Sequence, residues 1–181
     1  MSKAVVFLAD GFEEIEGLTV VDMLRRAGIT VITASIQSKK EIAGAHKIIV
    51  LADELMEHID FNTVDMVVLP GGMPGTLNLG ASKKVTDIVQ EFFKAGKEVA
   101  AICAAPSVLG DLGILQGKEA TCYPGFEERL TGASVVKEPV VSDGNVTTSR
   151  GMGTAIPFAG RLIEKLVSKE KAQEVLDSII Y

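Results

Sequence analysis

Cys103 stands where an apolar strand gives way to a helix. Val99-Ala100-Ala101-Ile102 is apolar with small alanines, as a strand covered on both faces requires. Pro106 follows within the first helical turn, where a missing N–H has no intrahelical partner to lose. A thiol on that turn faces the unpaired N–H groups of the new helix, which favour thiolate over thiol. The helix dipole by itself supplies about 0.3–1 kcal/mol, less than about one pKa unit. A strongly acidic thiol therefore needs direct hydrogen bonds as well. The rival reading is that Cys103 is small apolar filler, a common use of a free cysteine.

A carboxyl partner is available early in the chain. Glu16 lies four residues before Val20 and eight before Leu24, so it shares a helix face with apolar residues. A carboxyl on that face is partly desolvated, which raises its pKa and lets it carry a proton. Glu13 fits the same face through Gly17 and Val20, and the periodicity leaves both candidates open. An exposed first-turn acid, favoured by the helix dipole, is the alternative for either. Gly71-Gly72 permits close backbone approach and positive φ, suiting a loop that aims N–H groups into a cleft or a plain tight turn. Cys122, in Thr121-Cys122-Tyr123-Pro124, lacks the helix-start context and reads as structural.

The elements that must position these groups alternate between strand and helix, the pattern of a doubly wound parallel α/β sheet. Strands are expected over 3–9, 30–36, 64–69 and up to Ile102, with helices over 13–27, 82–95, 154–167 and 170–179. Residues 45–51 read as a strand near an edge, followed by a short helix over 54–58. Residues 140–148 read as a hairpin with Asp143-Gly144 at its turn. No linker or repeat appears, so 1–181 is expected to form one domain. In such sheets functional sites gather beyond the carboxyl ends of the strands. The loop after the first strand, the Gly71-Gly72 loop and Cys103 all fall there, which raises the reactive reading of Cys103.

Composition removes several classes of function. The net charge of −6 gives a nucleic-acid partner no electrostatic support. No apolar run is long enough to span a membrane. The start of the chain lacks a signal-peptide layout, and its two cysteines have no paired spacing, so free thiols in a cytoplasmic setting are expected. Two histidines and two scattered cysteines show no metal-ligand spacing. The phosphate-loop spacing GxxxxGK[ST] is absent. Gly151-Met152-Gly153-Thr154 reads as the start of a helix.

Four ordered motifs carry a family resemblance: Ala9-Asp10-Gly11-Phe12-Glu13-Glu14-Ile15-Glu16, Leu69-Pro70-Gly71-Gly72, Ala100-Ala101-Ile102-Cys103-Ala104-Ala105-Pro106 and Thr148-Ser149-Arg150-Gly151-Met152-Gly153-Thr154. Together they resemble the ThiJ/PfpI family, in the branch of the Parkinson's-disease-associated deglycase and its bacterial relatives. The resemblance spans nearly the whole chain. It implies a flavodoxin-like sandwich, a homodimer, and a cysteine on a strained nucleophile elbow. By position it makes Cys103 the nucleophile and Glu16, rather than Glu13, its protonated partner. The N–H groups of Gly72 and Ala104, with Gly71 beside them, would form the oxyanion site. Tyr123 stands where a member of this branch carries histidine, and His46 where arginine is common, near the expected dimer contact; both are candidate substrate-orienting residues. Ala104 replaces the histidine that protease-like members carry directly after the cysteine, which argues against a Cys-His peptidase.

The resemblance implies cofactor-independent chemistry on small reactive carbonyls such as methylglyoxal or glyoxal, or on glycated side chains. A redox sensor or holdase chaperone using the same oxidisable cysteine is the alternative.

Overall fold

The computed structural model describes residues 2–181; Met1, included in the expected domain, lies outside them. In chain order the strands and helices are β1 (Lys3–Leu8), α1 (Glu14–Arg26), β2 (Thr30–Ser35), β3 (Glu41–Ala43), β4 (Ile49–Leu51), β5 (Glu54–Leu55), β6 (Met66–Leu69), α2 (Gly75–Ala81), α3 (Lys83–Lys94) and β7 (Glu98–Ile102). They continue with α4 (Pro106–Asp111), β8 (Glu119–Ala120), β9 (Ser134–Val135), β10 (Val140–Asp143), β11 (Val146–Ser149), α5 (Ala155–Leu166) and α6 (Lys169–Ser178).

One sheet organises the molecule, in the order β10-β11-β7-β6-β1-β2-β5. All neighbours in it are parallel except β10 and β11, which form a hairpin. The period-2 alternation of the strands divides the core into two layers. From β1, Ala4, Val6 and Leu8 pack with α1, α5 and α6, while Val5 and Phe7 pack with α3 and α4 on the other face. β7 divides likewise, Ala100 and Ile102 to the first layer, Val99 and Ala101 to the second. The expected single-domain sandwich is what the chain forms.

Four details differ from expectation. The edge strand expected over 45–51 is shorter, β4, and it pairs antiparallel with β3 in a separate two-stranded ribbon. The main-sheet edge is instead β5, within a stretch that read as helix; only Met56–His58 turns, as one 3-10 turn. Glu54 and Leu55 are extended because they pair with Ala34 and Ser35 of β2, a tertiary contact that overrides local preference. In the β10–β11 hairpin, Asp143 pairs with Val146, so the turn residues are Gly144 and Asn145. Gly144 takes φ 61°, which suits a primed two-residue turn. Helix α2 is not expected from the sequence, because Gly-Thr-Leu-Asn-Leu-Gly-Ala is short and rich in glycine.

Candidate active site

Cys103 follows directly on β7 and adopts φ 65°, a left-handed backbone that a non-glycine residue enters at a cost of about 1–2 kcal/mol. Two backbone hydrogen bonds hold it there. Cys103 N–H donates to the Ser149 carbonyl at 2.9 Å, and Tyr123 N–H donates to the Cys103 carbonyl at 2.8 Å. Pro106 occupies the first position of α4, as its chemistry favours. The thiol is thus lifted out of the sheet and partly exposed, while Ile102 before it and Ala105 after it are buried.

Glu16 reaches the thiol from α1. Its neighbours one and two turns on, Val20 and Leu24, are fully buried, and so is Glu16. Oε2 accepts the Gly71 N–H at 2.9 Å. Oε1 is buried with no hydrogen-bond partner. Glu13 occupies the N-cap, outside the helix, so the face that periodicity left open belongs to Glu16.

The Gly71-Gly72 loop closes the third side. A Cβ on Gly71 would lie 2.5 Å from the Cys103 Cβ and 2.6 Å from Glu16 Oε2, so only glycine lets the three meet. Gly72 takes φ 92°, and a Cβ there would strike the Glu13 nitrogen. The loop is tied to the start of α1 by Glu13 N–H donating to the Gly71 carbonyl at 2.8 Å.

Electrostatics couples the two side chains. Burial pushes the Glu16 carboxyl up to about 7, with the Glu13 charge acting in the same direction. Burial, and then the Glu16 carboxylate, push the Cys103 thiol up to about 12, against the N–H groups of Ala104 and Gly72 that pull it down. The helix-start effect expected to acidify the thiol is therefore outweighed while Glu16 is ionised. The pair holds a single negative charge between those two values. When the proton sits on Glu16, the repelling carboxylate is gone and two N–H donors face a thiolate. The unpartnered Oε1 is better suited to that neutral carboxyl than to an anion, because a buried unpaired charge is far costlier than a buried acid.

Gly71, Gly72, Ala104, Glu16 and Cys103 are thus brought together. Tyr123 adjoins them: its ring lies 3.2 Å from where a Gly151 Cβ would stand, and that point is 3.9 Å from Glu16 Oε1. With Lys137, Arg150, Gly151 and Met152, Tyr123 lines an open groove of about 550 Å³. His46 is not part of this cluster. Its Nδ1 lies 2.9 Å from Glu14 Oε2, at the start of α1. Cys122 is buried among the second core layer, as its context suggested. No local sequence signal marks Ser149 and Gly151 individually, because only the parallel pairing of β11 with β7 carries them to the cysteine.

The profile of the DJ-1/PfpI family matches residues 2–165. Drosophila melanogaster dj-1beta is 40% identical over 99% of this chain and 98% of its own. Its crystal structure superposes with a TM-score of 0.95, covering 99% and 98% of the two chains. A Pyrococcus abyssi protein named a deglycase is 34% identical over 91% of this chain and 99% of its own. DJ-1 homolog B of Arabidopsis thaliana is 39% identical over 98% of this chain, which spans only 41% of that longer protein. Among the described residues no helix is long and apolar enough to cross a membrane.

Proposed function

The chain belongs to the DJ-1/PfpI family, and from that premise we propose that it is a cofactor-independent glyoxalase or deglycase whose nucleophile is Cys103. The observation that carries this reading is the left-handed Cys103 set against buried Glu16 and the Gly71-Gly72 loop. The deglycase name of the Pyrococcus relative points to carbonyl adducts as the substrate class.

With methylglyoxal, the Cys103 thiolate adds to the aldehyde carbon, forming the S–C bond and an alkoxide. The N–H groups of Gly72 and Ala104 stabilise that oxyanion, a contribution of about 3–4 kcal/mol per well-placed donor. Glu16 gives its proton to the alkoxide and becomes the base that removes the C1 proton, leaving an enediolate. It returns that proton to C2 while the C1 hydroxyl proton passes to the C2 oxygen, which yields a lactoyl thioester and leaves Glu16 ionised. Water then cleaves the thioester to lactate and frees the thiolate, and of the two protons set free one restores the Glu16 acid. One water is consumed and one proton released, with no external oxidant or reductant. The same addition to a glycated side chain begins deglycation.

A second reading rests on Glu16 Oε1, buried and unpartnered. As a protonated carboxyl it is suited to hydrogen-bond an oxygen added to the Cys103 sulfur, which supports an oxidation-responsive role. A homodimer is supported by apolar side chains left exposed on α1 and β4: Ile15, Leu18, Ile49 and Leu51. A cytoplasmic setting accords with two free cysteines.

The deciding experiment quantifies lactate per subunit with excess methylglyoxal, beside Cys103→Ala. Many turnovers, abolished in the variant, are expected. A folded protein with intact Cys103 that makes no lactate would overturn the enzymatic reading in favour of the redox one.

A further inference from the structure

Beside the cysteine site but not part of it, three side chains able to ligate a metal converge at the start of α1: Glu13, Glu14 and His46. We propose that they form a binding site for a divalent first-row transition ion of the zinc or cobalt type, which clamps the β3–β4 ribbon to the start of α1. The three candidate ligand atoms lie within 4.8 Å of one another. His46 Nδ1 stands 2.9 Å from Glu14 Oε2 and 3.5 Å from Glu13 Oε2. Around an ion bound at about 2.1 Å, ligand atoms are separated by about 3.0 Å in octahedral geometry and about 3.4 Å in tetrahedral geometry. The two separations from His46 bracket those values, so an ion could replace the proton on Nδ1 with the Glu13 and Glu14 oxygens already at suitable distances from the imidazole.

The site is also braced from behind. Glu14 is buried, and its Oε1 accepts the backbone N–H groups of His46 at 2.8 Å and Ile48 at 3.4 Å. Those bonds fix the carboxylate and leave Oε2 turned to the imidazole, the arrangement by which outer hydrogen bonds orient a metal ligand. The loop carrying His46 is itself pinned, with Ala45 N–H donating to the Phe12 carbonyl at 2.8 Å. A Cβ on Gly44 would collide with the Glu14 carboxylate, so that close approach depends on glycine. Glu13 is held through its own backbone bond to Gly71. The Glu14 carboxylate and the backbones that carry Glu13 and His46 are therefore placed before any ion arrives.

Donor chemistry selects the ion. One imidazole and two carboxylates suit zinc, cobalt or nickel, whereas calcium and magnesium prefer all-oxygen shells. Three protein ligands leave further positions for water. The positive end of the α1 dipole opposes a cation here, and the two carboxylates at the helix start offset it. Sequence spacing concealed the group because His46 lies far along the chain from Glu13 and Glu14; only the β3–β4 ribbon folding back on α1 brings them together.

The test is titration of the full-length protein with Co²⁺ and Zn²⁺ in a Cys103→Ser background, so that the reactive thiol contributes no ligand. One ion per chain is expected, with Co²⁺ absorption of nitrogen–oxygen ligation and no thiolate charge-transfer band. His46→Gln and Glu13→Gln should each weaken binding at least about tenfold, the smallest loss seen even for groups behind a ligand. Zn²⁺ should raise Tm in the parent protein and not in His46→Gln. Binding should strengthen from pH 6 to pH 8, because the Glu14 hydrogen bond and the nearby carboxylates keep His46 protonated above its usual range and the ion must displace that proton. No binding at millimolar Zn²⁺, or equal affinity in His46→Gln, would overturn the proposal. So would a thiolate band in the Co²⁺ spectrum.

Discussion

Glu16 Oε2 accepts the Gly71 N–H at 2.9 Å, and this bond fastens a buried carboxyl from α1 to the loop after β6. The same loop passes so close to Cys103 that no side chain fits between them. The proton on Glu16, the loop conformation and the charge on the sulfur therefore belong to one coupled unit, and substitutions in any part should be felt in the others.

Glu16→Gln preserves the carboxyl's shape and its acceptor for Gly71 N–H while removing the transferable proton. Turnover of methylglyoxal should fall at least about a hundredfold, the usual worth of a general acid–base group. Circular dichroism and Tm should show an intact fold. Turnover equal to the parent's would exclude Glu16 from the proton transfers.

Gly71→Ala inserts a methyl group 2.5 Å from the Cys103 Cβ and 2.6 Å from Glu16 Oε2. Something must shift, and the loop is tied by the bonds of Glu13 and Glu16. Overpacking of this kind costs about 1–3 kcal/mol. A lower Tm is expected together with a changed rate of Cys103 alkylation by iodoacetamide, measured by mass spectrometry.

The raised carboxyl of Glu16 gives stability a definite pH slope. The folded protein keeps this proton up to about 7, whereas an unfolded chain releases it near the ordinary value of 4.5. Between those values the native state binds more protons, so the contribution is fully present below about 4.5 and is lost as pH rises towards 7. The difference corresponds to roughly 3 kcal/mol. Urea denaturation at several pH values should show this decline in the parent and its absence in Glu16→Gln. Identical pH dependence in both proteins would place the proton elsewhere.

Ile49 and Leu51 are 72% and 68% exposed on β4, more than their apolar character favours in a free chain. If a second copy covers this face, Ile49→Glu should shift sedimentation from dimer to monomer at micromolar concentration. A parent protein that sediments as a monomer would remove the homodimer from the reading.

The parallel sandwich was legible because buried strands such as 66–69 and 99–102 are continuous apolar runs separated by helix-period segments. The edge was not. β5 contains two residues whose extended form comes from pairing with β2, a contact that local propensity does not encode.

Strand-to-helix punctuation around Pro106 located the cysteine, and apolar spacing narrowed its partner to Glu13 or Glu16. By itself, then, the sequence determined the layered fold and the short roster of reactive groups, because periodicity and turn chemistry act over a few residues. The motif resemblance chose Glu16 over Glu13, while tertiary structure alone decided that burial and Glu16 raise the thiol more than the helix start lowers it, and that His46 meets Glu14 rather than Cys103. Those outcomes depend on which segments pack together, and desolvation and Coulomb forces follow distance in space rather than position along the chain.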